Sequence, residues 1–182
     1  SGGTETLDGC AGTDTLSFTE SGARDISAAE MGSVKNIEVI SIGSGTGAAA
    51  TVIGLGDAFF SNNNDAVSII ANPTANTAAT TKIDGSSVSS GAITLTLKGN
   101  ITATNDTLIG GAGDDTLIVG YKGLTASTLV ELEAADTFTG NGGTDTIVLD
   151  TQADGSTAGA GAITVTIDFD TVTGVEKLEV RD

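Results

Sequence analysis

One twelve-residue pattern appears three times in this 182-residue chain: ETLDGCAGTDTL over 5–16, DTLIGGAGDDTL over 106–117 and DTFTGNGGTDTI over 136–147. Within each copy an acid recurs nine residues on, Glu5 to Asp14, Asp106 to Asp115 and Asp136 to Asp145. The apolar residue two places later keeps the same interval, Leu7 to Leu16, Leu108 to Leu117 and Phe138 to Ile147. Glycine enters the left-handed region of backbone space at no steric cost, so the centre of each copy turns sharply. The Thr-apolar steps on either side are β-branched and alternating, which fits short strands with the apolar residue turned inward. The period therefore predicts strand, tight turn, strand, and excludes a long helix across these segments.

The middle copy fits a known nonapeptide at every position. Gly110-Gly111-Ala112-Gly113-Asp114-Asp115-Thr116-Leu117-Ile118 reads as G-G-x-G-x-D-x-U-x, the repeat of the calcium-binding parallel β-helix of RTX proteins. The chain resembles that family. The resemblance implies an all-β fold, a right-handed parallel β-helix or β-roll solenoid with Gly-Asp calcium turns and one or two short helical insertions. It also implies Ca2+ as the cofactor, held by Glu5, Gly9, Gly12 and Asp14 in the first copy. The corresponding residues are Asp106, Gly110, Gly111, Ala112, Gly113 and Asp115 in the second, and Asp136, Gly140, Gly142 and Asp145 in the third. The chemistry of the residues agrees: calcium takes about six to eight oxygens in tolerant geometry, and a turn of inward carbonyls with one Asp supplies half such a shell. A stacked second turn must supply the rest. A lone G-x-D-T is an ordinary β-turn in which Asp bonds its own backbone; tandem recurrence distinguishes these three. The copies are unequal, with Glu5 in place of Asp, Cys10 at a glycine position and Asn141 where a second glycine belongs.

Charge points the same way. The chain carries 24 acidic against 7 basic residues, a net charge of −17, which disfavours nucleic acid and anionic membrane as partners. Divalent cations between Asp turns relieve the self-repulsion; a merely solvated acidic surface would not place acids at fixed intervals. Hydrophobic residues at 38 % argue against a disordered acidic chain. The 26 glycines, one proline and 3 % aromatics describe short strands, tight turns and a thin aliphatic core. Cys10 has no partner for an internal disulfide and reads as a small turn residue. Stabilisation by metal instead of sulfur suits a secreted, extracellular or bacterial cell-surface protein. No apolar run approaches the roughly 18 residues of a membrane span, and the absence of a signal peptide or initiator Met at Ser1 suggests a mature product or an excised domain.

The chain is expected to form a single β-solenoid domain over 1–182, with a first motif block at 1–42, motif-free strands and loops at 43–100, and two further motif blocks at 101–182. Two other internal echoes occur. Ser33–Ile42 lines up with Thr171–Val180, placing Glu38 and Glu176 in equivalent positions, and Gly91–Leu97 lines up with Gly161–Ile167. Each reads as a strand. Short helices are predicted at Asp25–Met31, ended by Gly32, and at Thr128–Ala135, opened by the capping-box pattern Thr128-x-x-Glu131. The region from Gly43 to about Ser90 reads as long surface loops around strands Val52–Leu55 and Val67–Ala71, or as a flexible connector. Copies two and three lie thirty residues apart. If the insertion near Thr125–Ala135 loops out, Asp106 stacks on Asp136 and Asp115 on Asp145. Glu5 and Asp14 extend the same two edges if Gly43–Ser90 also loops out.

Catalysis has little to work with. The chain has no histidine, which removes imidazole-based triads and zinc-protease motifs, and its paired carboxylates are better read as ligands than as an acid and base. A non-enzymatic structural protein is expected, an S-layer, sheath or matrix-fibre component that self-associates into a filament or lattice when calcium is bound. The alternatives are a calcium-rigidified adhesin, with a cell-surface glycan or other ligand on Thr faces such as Thr94, Thr96, Thr164 and Thr166, and an accessory module of a secreted enzyme.

Overall fold

The computed structural model describes residues 5–19, 22–43, 50–72, 80–97, 106–120, 128–129, 136–150, 164–165 and 169–181. They build a parallel β-helix in which each coil from the second onward gives one strand to each of two long sheets. The first coil holds β1 (Leu7–Asp8) and β2 (Thr15–Phe18). The second runs through β3 (Arg24–Ile26), helix α1 (Ala28–Met31), β4 (Val34–Lys35) and β5 (Val39–Gly43). The third holds β6 (Thr51–Gly56), helix α2 (Asp57–Asn62) and β7 (Ala66–Asn72), and the fourth β8 (Thr81–Ser87) and β9 (Ala92–Leu97). Then come β10 (Thr107–Ile109) and β11 (Thr116–Gly120), the outlying β12 (Thr128–Leu129), β13 (Thr137–Thr139) and β14 (Thr146–Asp150), the outlying β15 (Thr164–Val165), and finally β16 (Val172–Thr173) and β17 (Lys177–Arg181).

All pairings among the described residues are parallel. A six-stranded sheet runs β16-β13-β10-β8-β6-β3, a seven-stranded sheet runs β17-β14-β11-β9-β7-β5-β2, and β1-β4 and β12-β15 form small separate sheets. Inward residues alternate along the strands, as in Ile53 and Leu55, Ile69 and Ala71, or Ile93, Leu95 and Leu97. They merge into one apolar core from Met31 to Ile147. An all-parallel sheet normally needs its faces covered; here the two sheets cover each other.

The middle of the chain departs from the loop reading. Residues 50–72 and 80–97 contribute four central strands, which include the expected Val52–Leu55 and Val67–Ala71 segments. Phe59 and Phe60 of α2 are buried, with ring centroids 5.5 Å apart at 86°. Buried Asn63 accepts from the Ile37 N–H (2.7 Å) and donates to the carbonyls of Val34 (3.0 Å) and Phe59 (2.6 Å), tying adjacent coils together. Six residues are too few to show helical periodicity, and Gly56 gives α2 no side-chain cap, so the sequence carried no signal for it.

Helix α1 lies inside the expected Asp25–Met31 span, but Asp25 belongs to β3. The helix begins after Ser27, whose hydroxyl accepts from the Glu30 N–H while the Glu30 carboxylate accepts from the Ser27 N–H, and it ends at Gly32. The second expected helix is corrected at its start, where Thr128 and Leu129 form β12, paired with Thr164 and Val165; the rest of it, 130–135, lies outside the described residues. Parallel pairing at a distance overrides a local capping pattern when the residues, Thr and Leu against Thr and Val, suit a strand. The Gly91/Gly161 echo also divides, since β9 sits in the seven-stranded sheet and β15 in the small one.

Phe60→Ala should remove about 3–5 kcal/mol of stability through the cavity left behind, and Asn63→Ala about 1–3 kcal/mol through the stranded Ile37 N–H. Urea unfolding at saturating calcium measures both. Near-neutral values would mean that 43–90 packs as a peripheral loop after all.

Candidate metal centre

Strand register aligns the acids. Thr116 pairs with Thr146 and Thr146 with Lys177, so Asp115, Asp145 and Glu176 form a column at the start of the seven-stranded sheet. Each carboxylate accepts the backbone N–H of the preceding coil. Asp115 Oδ1 receives Ile93 N–H (2.8 Å), Asp145 Oδ1 receives Asp115 N–H (2.7 Å) and Glu176 Oε2 receives Asp145 N–H (2.8 Å). On the other edge, Thr107 pairs with Thr137; Asp136 Oδ1 accepts Asp106 N–H (2.8 Å) and Asp106 Oδ1 accepts Thr81 N–H (2.6 Å). The thirty-residue stacking expected of both pairs is thus the register of the sheets, although the excursion between them contains a strand where a helix was expected.

The first copy stands apart. Asp14 N–H donates to Glu38 Oε2 (2.9 Å), but the intervening coils put Val67 and Ile93, paired and buried, in the column that the acids occupy elsewhere. Asp14 therefore does not stack against Asp115. Glu5 is exposed and precedes β1, which belongs to a separate small sheet, so it joins no edge with Asp106. The Gly43–Ser90 region does not loop out, and the continuous two-edge column through all three copies is corrected accordingly.

The turns stack backbone on backbone. Gly110 N–H donates to the Thr139 carbonyl (2.8 Å), Gly140 N–H to Thr173 (2.9 Å), Ala112 N–H to Val88 (2.9 Å) and Gly142 N–H to Gly111 (3.0 Å). A Cβ on Gly110 would overlap Asp115 Oδ2 and the Gly140 carbonyl, and a Cβ on Gly140 would overlap Asp145 Oδ2 and the Gly174 carbonyl. These two glycines keep open a cleft lined by oxygen. Gly9 holds the matching place against the Asn36 carbonyl and Asp14. Gly111 and Gly113 pack against the preceding coil at Val88 and Gly91, and Gly12 is left-handed at φ +138. The two departures from the motif, Cys10 and Asn141, share one conformation, with φ of 72 and 75.

Asp115 and Asp145 are 0 % exposed, and Asp106 and Asp136 are buried. Burial pushes the Asp115 carboxyl up to about 6 against the N–H bonds from Ile93 and Gly111, with Asp145 and Asp114 adding repulsion. Asp145 is raised too, first by burial and further by Glu176. Its Oδ2 is buried with no hydrogen-bond partner, as is Oδ2 of Asp14. Among the described residues no three metal-ligating side chains converge, so carbonyls must supply most of any ion's shell. Turn carbonyls, the Asp115 and Asp145 carboxylates and orphaned oxygens are the donor set that a hard divalent cation takes. Bound calcium would supply the missing positive charge, with Asp115, Asp145 and the Gly140 and Gly174 carbonyls positioned to hold it.

Sequence reasoning did not name Glu38 and Glu176 as site residues. The Ser33/Thr171 echo was their signal, since it places both at the same point of equivalent coils. Asp114, one residue from the column, is exposed and accepts the Thr144 N–H (2.8 Å).

Comparison with known families identifies residues 102–120 and 133–155 with the RTX calcium-binding nonapeptide repeat (4 copies). The chain therefore carries RTX-type repeats within a parallel β-solenoid, and these repeats are calcium-binding motifs. No curated protein and no solved structure matches it.

A folded-state pKa above the unfolded value means that the calcium-free fold binds the proton more tightly than the unfolded chain does. Its stability therefore falls as pH rises from about 4 to about 6, the Asp115 window, and calcium, which competes with that proton, should bind more tightly over the same interval. Calorimetric titration between pH 5 and 7 checks this, and an affinity independent of pH would contradict ligation by the buried carboxylates.

Proposed function

We propose that this protein is a non-enzymatic, extracellular structural element whose folding and self-assembly are driven by calcium. The observation that carries the reading is the column of buried carboxylates, stacked coil upon coil with no cationic side chain hydrogen-bonded to Asp115 or Asp145 among the described residues. Exported without calcium, such a chain repels itself; on meeting calcium outside the cell, the turns close and the coils stack. RTX-type repeats suit this order of events, because the binding energy of ions whose sites do not exist in the unfolded chain is folding energy.

Assembly into a filament, sheath or S-layer lattice would use apolar strand surface of the kind β17 carries. Among the described residues β17 is an edge strand of its sheet, and Leu178 and Val180 on it are 53 % and 66 % exposed. An edge strand with apolar side chains favours stacking of a further parallel coil, from this chain or a second copy. Lys177 and Arg181 flank Glu179 on the same strand (2.9 and 2.7 Å), so a specific register of charges accompanies the apolar contact. The adhesin alternative is weakened at its Thr face, since Thr96 is only 8 % exposed, and Thr166 lies outside the described residues.

Excess chelator should abolish the β-type circular dichroism spectrum or lower the melting temperature by tens of degrees, and calcium should restore it. Electron microscopy should show filaments or sheets with calcium and none with sodium chloride at equal ionic strength, because screening acts on diffuse repulsion but cannot replace a coordinated ion. A spectrum and melting temperature indifferent to chelator would overturn the calcium-driven fold; assemblies formed equally in sodium chloride would overturn calcium-driven assembly.

A further inference from the structure

The three Gly-Asp turns are of two conformational kinds, and the difference follows what comes after them. In the turns at 9–14 and 140–145 the second residue, Cys10 or Asn141, is left-handed, and so is the fourth, Gly12 or Gly143, at φ 138 and 110. In the turn at 110–115 neither Gly111 nor Gly113 is left-handed, and Gly111 N–H donates to Asp115 Oδ2 (2.7 Å). With Ile93 N–H on Oδ1, both oxygens of Asp115 are satisfied by the backbone. In the other two turns that internal donor is withdrawn: Cys10 N–H goes instead to Asp8 Oδ1 (2.9 Å). Asp14 Oδ2 and Asp145 Oδ2 are left buried without a partner.

These same two turns are followed by the echoed Glu coils. Register puts Glu38 above Asp14 and Glu176 above Asp145, because Thr15 pairs with Val39 and Thr146 with Lys177. Each Glu uses Oε2 for the Asp N–H (2.9 and 2.8 Å), and among the described residues its other oxygen has no hydrogen bond. Two residues before each Glu stands a left-handed residue, Asn36 at φ 53 or Gly174 at φ 64, whose carbonyl abuts the first glycine of the Asp turn, Gly9 or Gly140. Two places more than a hundred residues apart in sequence thus present one arrangement: an orphaned Asp oxygen, a second Glu oxygen and an inward carbonyl.

We propose that Asp14 with Glu38, and Asp145 with Glu176, form a matched pair of terminal calcium sites in which a Glu from outside the nonapeptide replaces the Asp of the next turn. The longer side chain lets a coil without the nonapeptide close the column, so each acidic run of the seven-stranded sheet ends on a Glu. The assignment rests on the calcium reading above.

Glu→Gln keeps an amide oxygen that accepts the Asp N–H while removing the charge, which separates ligation from a purely structural hydrogen bond. Calorimetric titration of the whole chain with calcium, alongside direct terbium luminescence, should show E38Q and E176Q each losing one site or weakening it at least tenfold. The double variant should lose two, with the circular dichroism spectrum in excess calcium retained. E179Q removes equal charge from the same strand as Glu176's coil and should leave the titration unchanged. If the unaltered chain binds calcium but E38Q/E176Q keeps its full stoichiometry and affinity, the Glu sites are refuted while the Asp turns stand. If E179Q weakens binding as much as E176Q, the effect is bulk charge and the assignment is equally refuted. An unaltered chain that binds no calcium overturns the calcium reading itself.

Discussion

The structure depends on one recurring contact, a carboxylate that accepts the backbone N–H of the coil below it. Where a solenoid strand begins, the turn interrupts the sheet ladder and leaves an amide to satisfy. Asp115, Asp145, Glu176, Asp106, Asp136 and Glu38 each meet that need. Charge-assisted bonds of this kind are stronger than neutral ones, but burying the acids side by side makes them costly to ionise, as the raised Asp115 and Asp145 carboxyls record. Calcium bound between the turns would resolve the conflict by letting the acids remain charged while they hold the backbone. Backbone geometry and the proposed metal dependence would then be two consequences of one choice of residue.

The coils between the acidic runs achieve the same stacking differently. Val67 and Ile93 fill the column with apolar side chains, while Phe59, Phe60 and Asn63 fasten the coils through the helical corner. Hydrophobic burial needs no ion. The molecule thus combines an apolar centre with acidic segments on either side along the solenoid, and the segments should respond to calcium more strongly than the centre does.

Much of this was legible in the sequence because the nonapeptide fixes register. Thirty residues between Asp115 and Asp145 become adjacent coils once the intervening residues leave the stack. The Val52–Leu55 and Val67–Ala71 strands were expected, and α1 was placed by its Gly32 end, although Ser27 and not Asp25 opens it. Helix α2 and strand β8 in the centre were not expected, because coils of a solenoid need only a few inward residues each and so leave a weak pattern. Thr128-x-x-Glu131 carried a helix signal that is purely local, and pairing with Thr164–Val165 is not local. Glu38 and Glu176 were visible as an echo, but their function needed the third dimension: only register shows that each lies over an Asp.

The most direct test of the carboxylate column is amide hydrogen exchange resolved by residue, with and without calcium. The N–H groups of Thr81, Ile93, Asp106, Asp115 and Asp145 should be among the best protected in calcium and should lose protection together when it is removed, while Ile53 and Ile69 in the apolar centre retain more. Equal protection of the column amides in both conditions would contradict the claim that calcium and the carboxylates hold the coils jointly.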